Sequence, residues 1–86
     1  MDETTYNNLI KFTQNIVDST PKVALEDDWF QFNDAIDVNI WWEEDGPIRA
    51  TAYPIRADEK GYRYTDTSHV FATLDVVERA NTAVVY

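Results

Sequence analysis

The sequence predicts a single α+β domain over residues 1–86, in which helices cover one face of a small antiparallel sheet. Two observations support this fold class. Apolar residues recur with helical spacing near both ends of the chain, and they alternate with polar residues in its middle. The predicted order is an N-terminal helix, a three-stranded antiparallel meander, a second helix and a short C-terminal strand.

The first helix is predicted over residues 4–18. Its apolar stripe consists of Tyr6, Leu9, Ile10, Thr13, Ile16 and Val17, which share one face of a helix. Thr4 or Thr5 can cap the start of the helix, and Pro21 ends it because proline disfavours a helical conformation in the residue before it. Segment 22–33 is compatible with a turn of helix or with a strand, and we expect a loop or helical turn followed by an extended segment.

The clearest strand is predicted over residues 35–43, where apolar and polar residues alternate. β-Branched and aromatic residues, which dominate this segment, favour strands. The residues predicted to face the core are Ile36, Val38, Ile40 and Trp42. Asp37 and Asn39 are predicted to face away from the core, and Trp41 then shares their side of the sheet.

Two turns complete the predicted meander. Residues 44–47 form a turn-type cluster that leads into a strand at 48–53, and residues 58–61 lead into a third strand at 62–65. Pro54 cannot donate a hydrogen bond to a sheet, so it should mark a sheet edge or a bulge.

After Ser68 the spacing changes again. Val70, Phe71, Leu74 and Val77 fit a helical stripe, which predicts the second helix over 69–78. The competing prediction is a strand, because valine, phenylalanine and threonine are all favoured there. Residues 82–86 are predicted to form the final strand.

The composition limits the classes of function. The chain contains sixteen acidic residues and only seven basic ones, which gives a formal net charge of −9, and it contains no cysteine. Disulfides and thiolate metal ligands are therefore excluded. Such a charge disfavours direct binding to nucleic acid or to an anionic membrane and favours a cationic partner. No apolar run has the length of a membrane span, and no secretion signal is recognisable, so we expect a cytoplasmic protein.

The acidic residues are concentrated in one part of the chain. No lysine or arginine lies between Lys22 and Arg49, and eight acids lie in that gap. We therefore expect a non-enzymatic module that binds a basic protein surface through acidic residues and an aromatic one, since tryptophan is common at interface hot spots. The predicted partner-binding residues are Asp27, Asp28, Asp37, Trp41, Glu43, Glu44 and Asp45.

In composition alone, the chain is similar to the DNA-mimicking inhibitors that phages and mobile elements direct against nucleic-acid-binding enzymes. Asp37, Glu43 and Asp45 share one parity along the predicted strand and its turn, so their carboxylates are predicted to imitate a short row of phosphates. The alternative function is a small-ligand or carbohydrate-binding domain that uses Trp29 or Trp41 as a platform.

Catalytic and metal-binding patterns are weak. His69 lies next to Ser68 and near Asp66, but adjacent residues seldom form a catalytic triad, so a role near the start of the second helix is expected instead. The acids at 27–28 and 43–45 could bind a hard cation, yet they lack the EF-hand spacing. We therefore predict no catalytic residues, no metal and no cofactor.

Overall fold

The computed structural model describes residues 2–78 and confirms an α+β fold with one N-terminal helix and an antiparallel sheet. Within these residues the elements are helix α1 (Glu3–Ser19), a 3₁₀ turn (Lys22–Leu25) and strands β1 (Asp27–Gln31), β2 (Ile36–Trp41), β3 (Arg49–Ala57), β4 (Arg63–Thr65) and β5 (Ala72–Leu74). The expectation of a turn followed by an extended segment within 22–33 is confirmed. The predicted strand at 82–86 lies outside the described residues.

Helix α1 forms where the apolar stripe predicted it. Leu9, Thr13 and Val17 are buried, and the rest of the stripe is partly buried. The cap differs from the prediction, because the Asp2 carboxylate, rather than a threonine side chain, accepts a hydrogen bond of 2.7 Å from the Thr5 backbone N–H. An acceptor at this position satisfies one of the N–H groups that the first turn leaves unpaired.

The sheet has the strand order β1-β2-β3-β4, and β5 pairs with the same edge of β3 as β4 does. All four pairings are antiparallel, and Trp41 of β2 lies opposite both Asp27 of β1 and Arg49 of β3. The predicted three-stranded meander followed by a second helix is therefore not matched. The sheet gains β1 at one edge and β5 at the other.

The predicted helix over 69–78 is wrong, and the competing strand prediction holds for Ala72–Leu74. Strand β3 is nine residues long whereas β4 has three, so β4 leaves the first part of β3 without a partner on that side. β5 supplies that partner by pairing with Ala50, Thr51 and Ala52. Backbone pairing to an otherwise open strand therefore outweighs the helical spacing of the side chains.

Pro54 lies opposite the interruption between β4 and β5. Ile55 donates to the carbonyl of Ala35 at 2.8 Å, so the missing N–H of Pro54 faces away from β2 and towards that interruption. Pairing on this side of β3 ends at Asp66, whose N–H donates to the Pro54 carbonyl. Pairing resumes at Phe71, just before β5. Pro54 was predicted to mark a sheet edge or a bulge, whereas it lies within β3, paired with Ile36 of β2, and its ring faces the gap between β4 and β5.

The core lies between α1 and one face of the sheet. Leu9 and Val17 of the helix belong to the same apolar cluster as Val38 and Ile40 of β2 and Leu74 of β5. The predicted core residues Ile36, Val38 and Ile40 are all buried, while Trp42 is half-buried and packs against the cluster. Among residues 2–78, no helix has the length and apolar character needed to cross a membrane.

Candidate protein-interaction site

The face of the sheet opposite α1 is here called the outer face. Over β1, β2, residues 49–53 of β3, and β5, the strand register assigns ten side chains to it: Asp27, Trp29 and Gln31 of β1, Asp37, Asn39 and Trp41 of β2, Arg49, Thr51 and Tyr53 of β3, and Thr73 of β5. The only helix among the described residues packs on the other face. The outer face thus carries three aromatic side chains among polar and charged ones.

Antiparallel pairing of β1 with β2 brings together six acids that are far apart in sequence. Glu26 to Asp28 lie where β1 begins, and Glu43 to Asp45 lie just after β2 ends. The Trp42 N–H donates to the Glu26 carbonyl at 3.3 Å, which places the two segments side by side. We call this group of six, Glu26, Asp27, Asp28, Glu43, Glu44 and Asp45, the acidic end of the sheet.

Six of the seven predicted partner-binding residues lie in one region of the structure. Asp27, Asp28, Trp41, Glu43, Glu44 and Asp45 come together at the acidic end, although Asp28 points to the helix side of the sheet. Asp37 does not join them, because it lies near the opposite end of β2, where Thr65 donates a hydrogen bond of 2.6 Å to its carboxylate. Glu43 and Asp45 also lie beyond the last residue of β2, so strand alternation does not place them in one row with Asp37.

The carboxylates of the acidic end form no salt bridge with any residue of 2–78. Asp27 accepts a hydrogen bond of 2.9 Å from the Asn39 side-chain amide. By contrast, Asp34, in the loop at the other end of the β1–β2 hairpin, lies 3.9 Å from the Arg63 guanidinium. Of the eight acids between Lys22 and Arg49, six of the seven that form no salt bridge with residues 2–78 therefore lie at one end of the sheet, and Asp37 is the seventh.

The two tryptophans at the acidic end each contact a cation. The Arg49 guanidinium carbon lies 5.5 Å from the ring centroid of Trp41, and the Lys22 ammonium lies 4.9 Å from that of Trp42. Both distances are within the range of cation–π attraction. Trp42 also donates from its indole nitrogen to the Lys22 carbonyl at 2.8 Å, which fixes the ring beside the 3₁₀ turn.

A groove of about 440 Å³ runs across the acidic end on the outer face. Its walls are formed by Glu26, Asp27, Asn39, Trp41, Trp42, Glu43, Thr51 and Tyr53. Only three of these eight residues belong to the predicted site. Glu26 could have been predicted as a site residue, because it is one of the eight acids between Lys22 and Arg49. Asn39, Thr51 and Tyr53 line the groove only because of strand pairing, which no sequence pattern specified.

Asn39 was predicted to face away from the core and to be exposed, but only 8% of it is accessible. Its amide donates to the Asp27 carboxylate at 2.9 Å and to the Asp28 carbonyl at 3.1 Å. The neighbouring β1 strand therefore covers Asn39 and accepts both hydrogen bonds of its side-chain N–H groups. This amide also holds the Asp27 carboxylate against the groove.

The turn that carries three of the acids is constrained. The Gly46 N–H donates to the Glu43 carbonyl at 2.8 Å, and the two residues between them have positive φ angles of 52° at Glu44 and 59° at Asp45. Non-glycine residues seldom adopt this conformation. A Cβ atom at position 46 would lie 2.9 Å from the Glu43 carbonyl oxygen, so the glycine keeps this turn tight.

Asp66, Ser68 and His69 form a cluster outside the acidic end. The Ser68 hydroxyl donates to Asp66 and also lies 3.0 Å from His69 Nδ1, and the same nitrogen lies 3.0 Å from the Asp66 carboxylate. A catalytic triad needs both imidazole nitrogens, one for the serine and one for the acid. The cluster instead closes the turn between β4 and β5, so the expected position at the start of a helix is also wrong.

Neighbouring hydrogen-bond donors stabilise the charged form of Asp66. Hydrogen bonds from Ser68 and from the Arg56 guanidinium, whose Nε lies 2.6 Å from the carboxylate, hold the pKa of Asp66 far below its usual range.

Among residues 2–78, no group of three or more histidine or acidic side chains is arranged to hold a metal ion. Comparison of the chain with protein-family models, with curated proteins and with solved structures found no match.

Proposed function

We propose that this protein is a non-enzymatic binding module whose acidic end and adjoining groove contact a basic surface of another protein. The observation that carries the proposal is the assembly of six carboxylates, none of them in a salt bridge with residues 2–78, of which Glu26, Asp27 and Glu43 line a groove that contains Trp41. Uncompensated like charges at one place accelerate the approach of an oppositely charged partner.

The aromatic rings of the site suit arginine in particular. A guanidinium can stack on an indole ring while its N–H groups bond a carboxylate. The Arg49 guanidinium carbon already lies 5.5 Å from the Trp41 ring centroid on the β3 side, and this cation–π contact supports a role of the ring in receiving a guanidinium. A partner arginine that enters the groove would meet Trp41 and Tyr53 together with the carboxylates of Asp27 and Glu43.

The proposal extends to a partner that normally binds nucleic acid, as in DNA-mimicking inhibitors of phage or mobile-element origin, acting in the cytoplasm. A nucleic-acid-binding site is rich in lysine and arginine, which suits the acidic end. The carboxylates that would replace phosphates come from two chain segments that border the groove, rather than from one strand. Direct contact with nucleic acid remains disfavoured by the net charge of −9.

The outer face also supports a second candidate function, carbohydrate binding. Trp29 is 45% exposed, and its ring centroid lies 5.5 Å from that of Tyr53. Aromatic rings beside amide, hydroxyl and carboxylate groups are the usual lining of small-ligand sites. This candidate predicts binding that responds weakly to salt, whereas binding through the acidic end should be lost steeply as salt rises.

The experiment first recovers a partner from lysate at low salt and then measures association by surface plasmon resonance. The test variant combines Glu43→Gln, Glu44→Gln and Asp45→Asn, which remove three exposed charges and no side-chain hydrogen bond of the described residues. The control variant combines Glu3→Gln, Asp34→Asn and Glu59→Gln. Both variants change the formal charge from −9 to −6, so they match in net charge and differ in where the charges are lost.

We expect the test variant to associate roughly tenfold more slowly than the control variant at low salt. Trp41→Ala should mainly accelerate dissociation, at a cost of about 2 kcal/mol, and Tyr62→Ala provides an exposed aromatic control. Circular dichroism confirms that each variant folds. Equal association rates for the two charge variants would show that the acidic end is only a solvated surface.

A further inference from the structure

Strand β1 has one edge without a partner among residues 2–78. It pairs with β2 and with no other described strand. Two hydrogen bonds lie just beyond the ends of β1: the Trp42 N–H donates to the Glu26 carbonyl, and the Phe32 N–H donates to the Ile36 carbonyl. They show which residues of β1 point their backbone groups towards β2. Residues 26, 28, 30 and 32 direct their backbone groups to β2, so Asp27, Trp29 and Gln31 direct theirs outwards.

The same three residues present their side chains on the outer face. Asp27, Trp29 and Gln31 are all exposed, and Asp27 lines the groove at the acidic end. A strand added along this edge would therefore bond the backbone groups of these residues and place its own alternate side chains next to theirs on the outer face. The same three residues would therefore provide both the backbone hydrogen bonds and the side-chain contacts with the added strand.

The edge carries only one of the features that usually protect an exposed strand. β1 contains no lysine, no proline and no bulge. Its protection is negative charge, from Asp27 and Asp28 within the strand and Glu26 before it. Negative charge repels a second copy of a chain with a net charge of −9 but attracts a basic segment.

We propose that the free edge of β1 binds an extended, arginine-rich or lysine-rich segment of the partner protein by strand addition. This inference rests on the proposed function and specifies the form in which the basic partner is recognised. A basic residue opposite Asp27 lies beside the groove, and an arginine opposite Trp29 stacks on an exposed indole ring. A further basic residue opposite Asp28 meets a carboxylate on the helix side of the sheet.

Amide hydrogen exchange of the free, full-length protein provides the first test. The N–H groups of Asp28 and Phe30 bond β2, whereas those of Asp27, Trp29 and Gln31 do not. The latter should exchange at least roughly tenfold faster, since a local opening must break the β2 bonds first. Protection of the three outward amides in a monomeric sample would show that another part of this chain covers the edge, and it would overturn the inference.

The second test uses a short blocked peptide of alternating arginine and threonine as the probe. With the peptide antiparallel to β1 and arginine opposite Asp27, Trp29 and Gln31, the arginine N–H groups face β1 and the threonine N–H groups face solvent. The peptide N-methylated at its arginines should bind at least roughly tenfold more weakly, and the peptide N-methylated at its threonines should bind like the unmodified one. Fluorescence anisotropy measures all three affinities.

A matched pair of protein variants tests the same contact from the other side. Gln31→Pro removes an outward N–H without touching the β2 ladder, and Gln31→Ala removes the same side chain but keeps the N–H. Gln31→Pro should bind the probe peptide roughly threefold to tenfold more weakly than Gln31→Ala. Equal affinity, or no binding of the probe to the wild type at low salt, would overturn strand addition.

The outcomes separate this inference from the proposed function. If the Glu43, Glu44 and Asp45 variant weakens partner binding while both N-methylated peptides bind alike, the acidic end binds cations and the strand addition is wrong. If N-methylation at arginine abolishes binding but the charge variant does not change it, the edge binds a strand and the proposed role of the acidic end fails. A dimer of the free protein that Gln31→Pro dissociates would show that the edge serves a second copy, which would overturn the inference.

Discussion

The two faces of the sheet are built from alternate residues of the same strands and have opposite properties. On the helix side, Val38, Ile40, Ala50, Ala52 and Leu74 are each no more than 3% exposed. On the outer face, Trp29 is 45% exposed, and Asp27 and Thr73 are also exposed. One face thus holds the apolar core, while the other holds aromatic and charged groups.

This difference separates stability from recognition. An antiparallel sheet can bury one face and leave the other to solvent, because side chains of successive residues point to opposite sides. Substitutions on the outer face should therefore change binding with little loss of stability. Substitutions on the helix side should do the reverse, and the following variants test that division in order of expected effect.

The largest effect is expected at Ile40, which is fully buried on the helix side. Ile40→Ala should lower the free energy of unfolding by about 2–5 kcal/mol, because it removes buried methyl groups and leaves a cavity. Thr73→Ala, an exposed change on the outer face, should alter it by no more than about 0.5 kcal/mol. Chemical denaturation measures both. Similar losses at the two positions would mean that the outer face contributes to the core.

A stabilising effect is expected at Thr13, the buried polar residue of α1. Its hydroxyl oxygen has no hydrogen-bond partner among the described residues, and the side chain is fully buried. Thr13→Val replaces the hydroxyl with a methyl group of similar size and should raise the free energy of unfolding by about 1 kcal/mol. Thr13→Ser keeps the hydroxyl and loses the methyl group, so it should destabilise. A loss of stability in Thr13→Val would indicate that the hydroxyl has a partner.

The turn at the acidic end should show opposite effects on stability and binding. Replacing Glu44 with asparagine and Asp45 with glycine suits the positive φ angles of both positions. We expect the double variant to gain about 0.5–1 kcal/mol of stability while it associates more slowly with a basic partner. Glu43→Gln, outside the two strained positions, should slow association without that gain. A double variant that is less stable than the wild type would contradict the strain at this turn.

The smallest effect concerns acid pH and the exposed Asp66 cluster. Because its pKa in the folded protein is lowered by Ser68 and Arg56, Asp66 contributes stability above the unfolded pKa of about 4. That contribution is lost as the pH falls below about 4 towards the folded pKa. Thermal melts of Asp66→Asn should therefore depend less on pH in this range than melts of the wild type. Glu59→Gln is the control, and identical pH profiles for wild type and Asp66→Asn would refute the assignment.

The sequence by itself determined the features that local patterns encode. The helical spacing in 4–18 located α1, and the alternation in 35–43 located β2 and assigned Ile36, Val38 and Ile40 to the core. The turn at Gly46 was also readable, since glycine beside proline and acidic residues seldom continues a strand. Side-chain periodicity is a property of consecutive residues, so it survives without knowledge of the rest of the fold.

Only the tertiary structure decided which segments pair. Residues 72–74 form a strand rather than a helix because nine-residue β3 has an edge that three-residue β4 leaves open. Asn39 is buried because β1 lies beside it, and the acidic end exists because β1 and β2 run antiparallel. Whether a backbone edge needs a partner depends on strands distant in sequence. Each hydrogen-bonding group must be satisfied by whichever segment the complete fold brings within reach, and no local pattern specifies that segment.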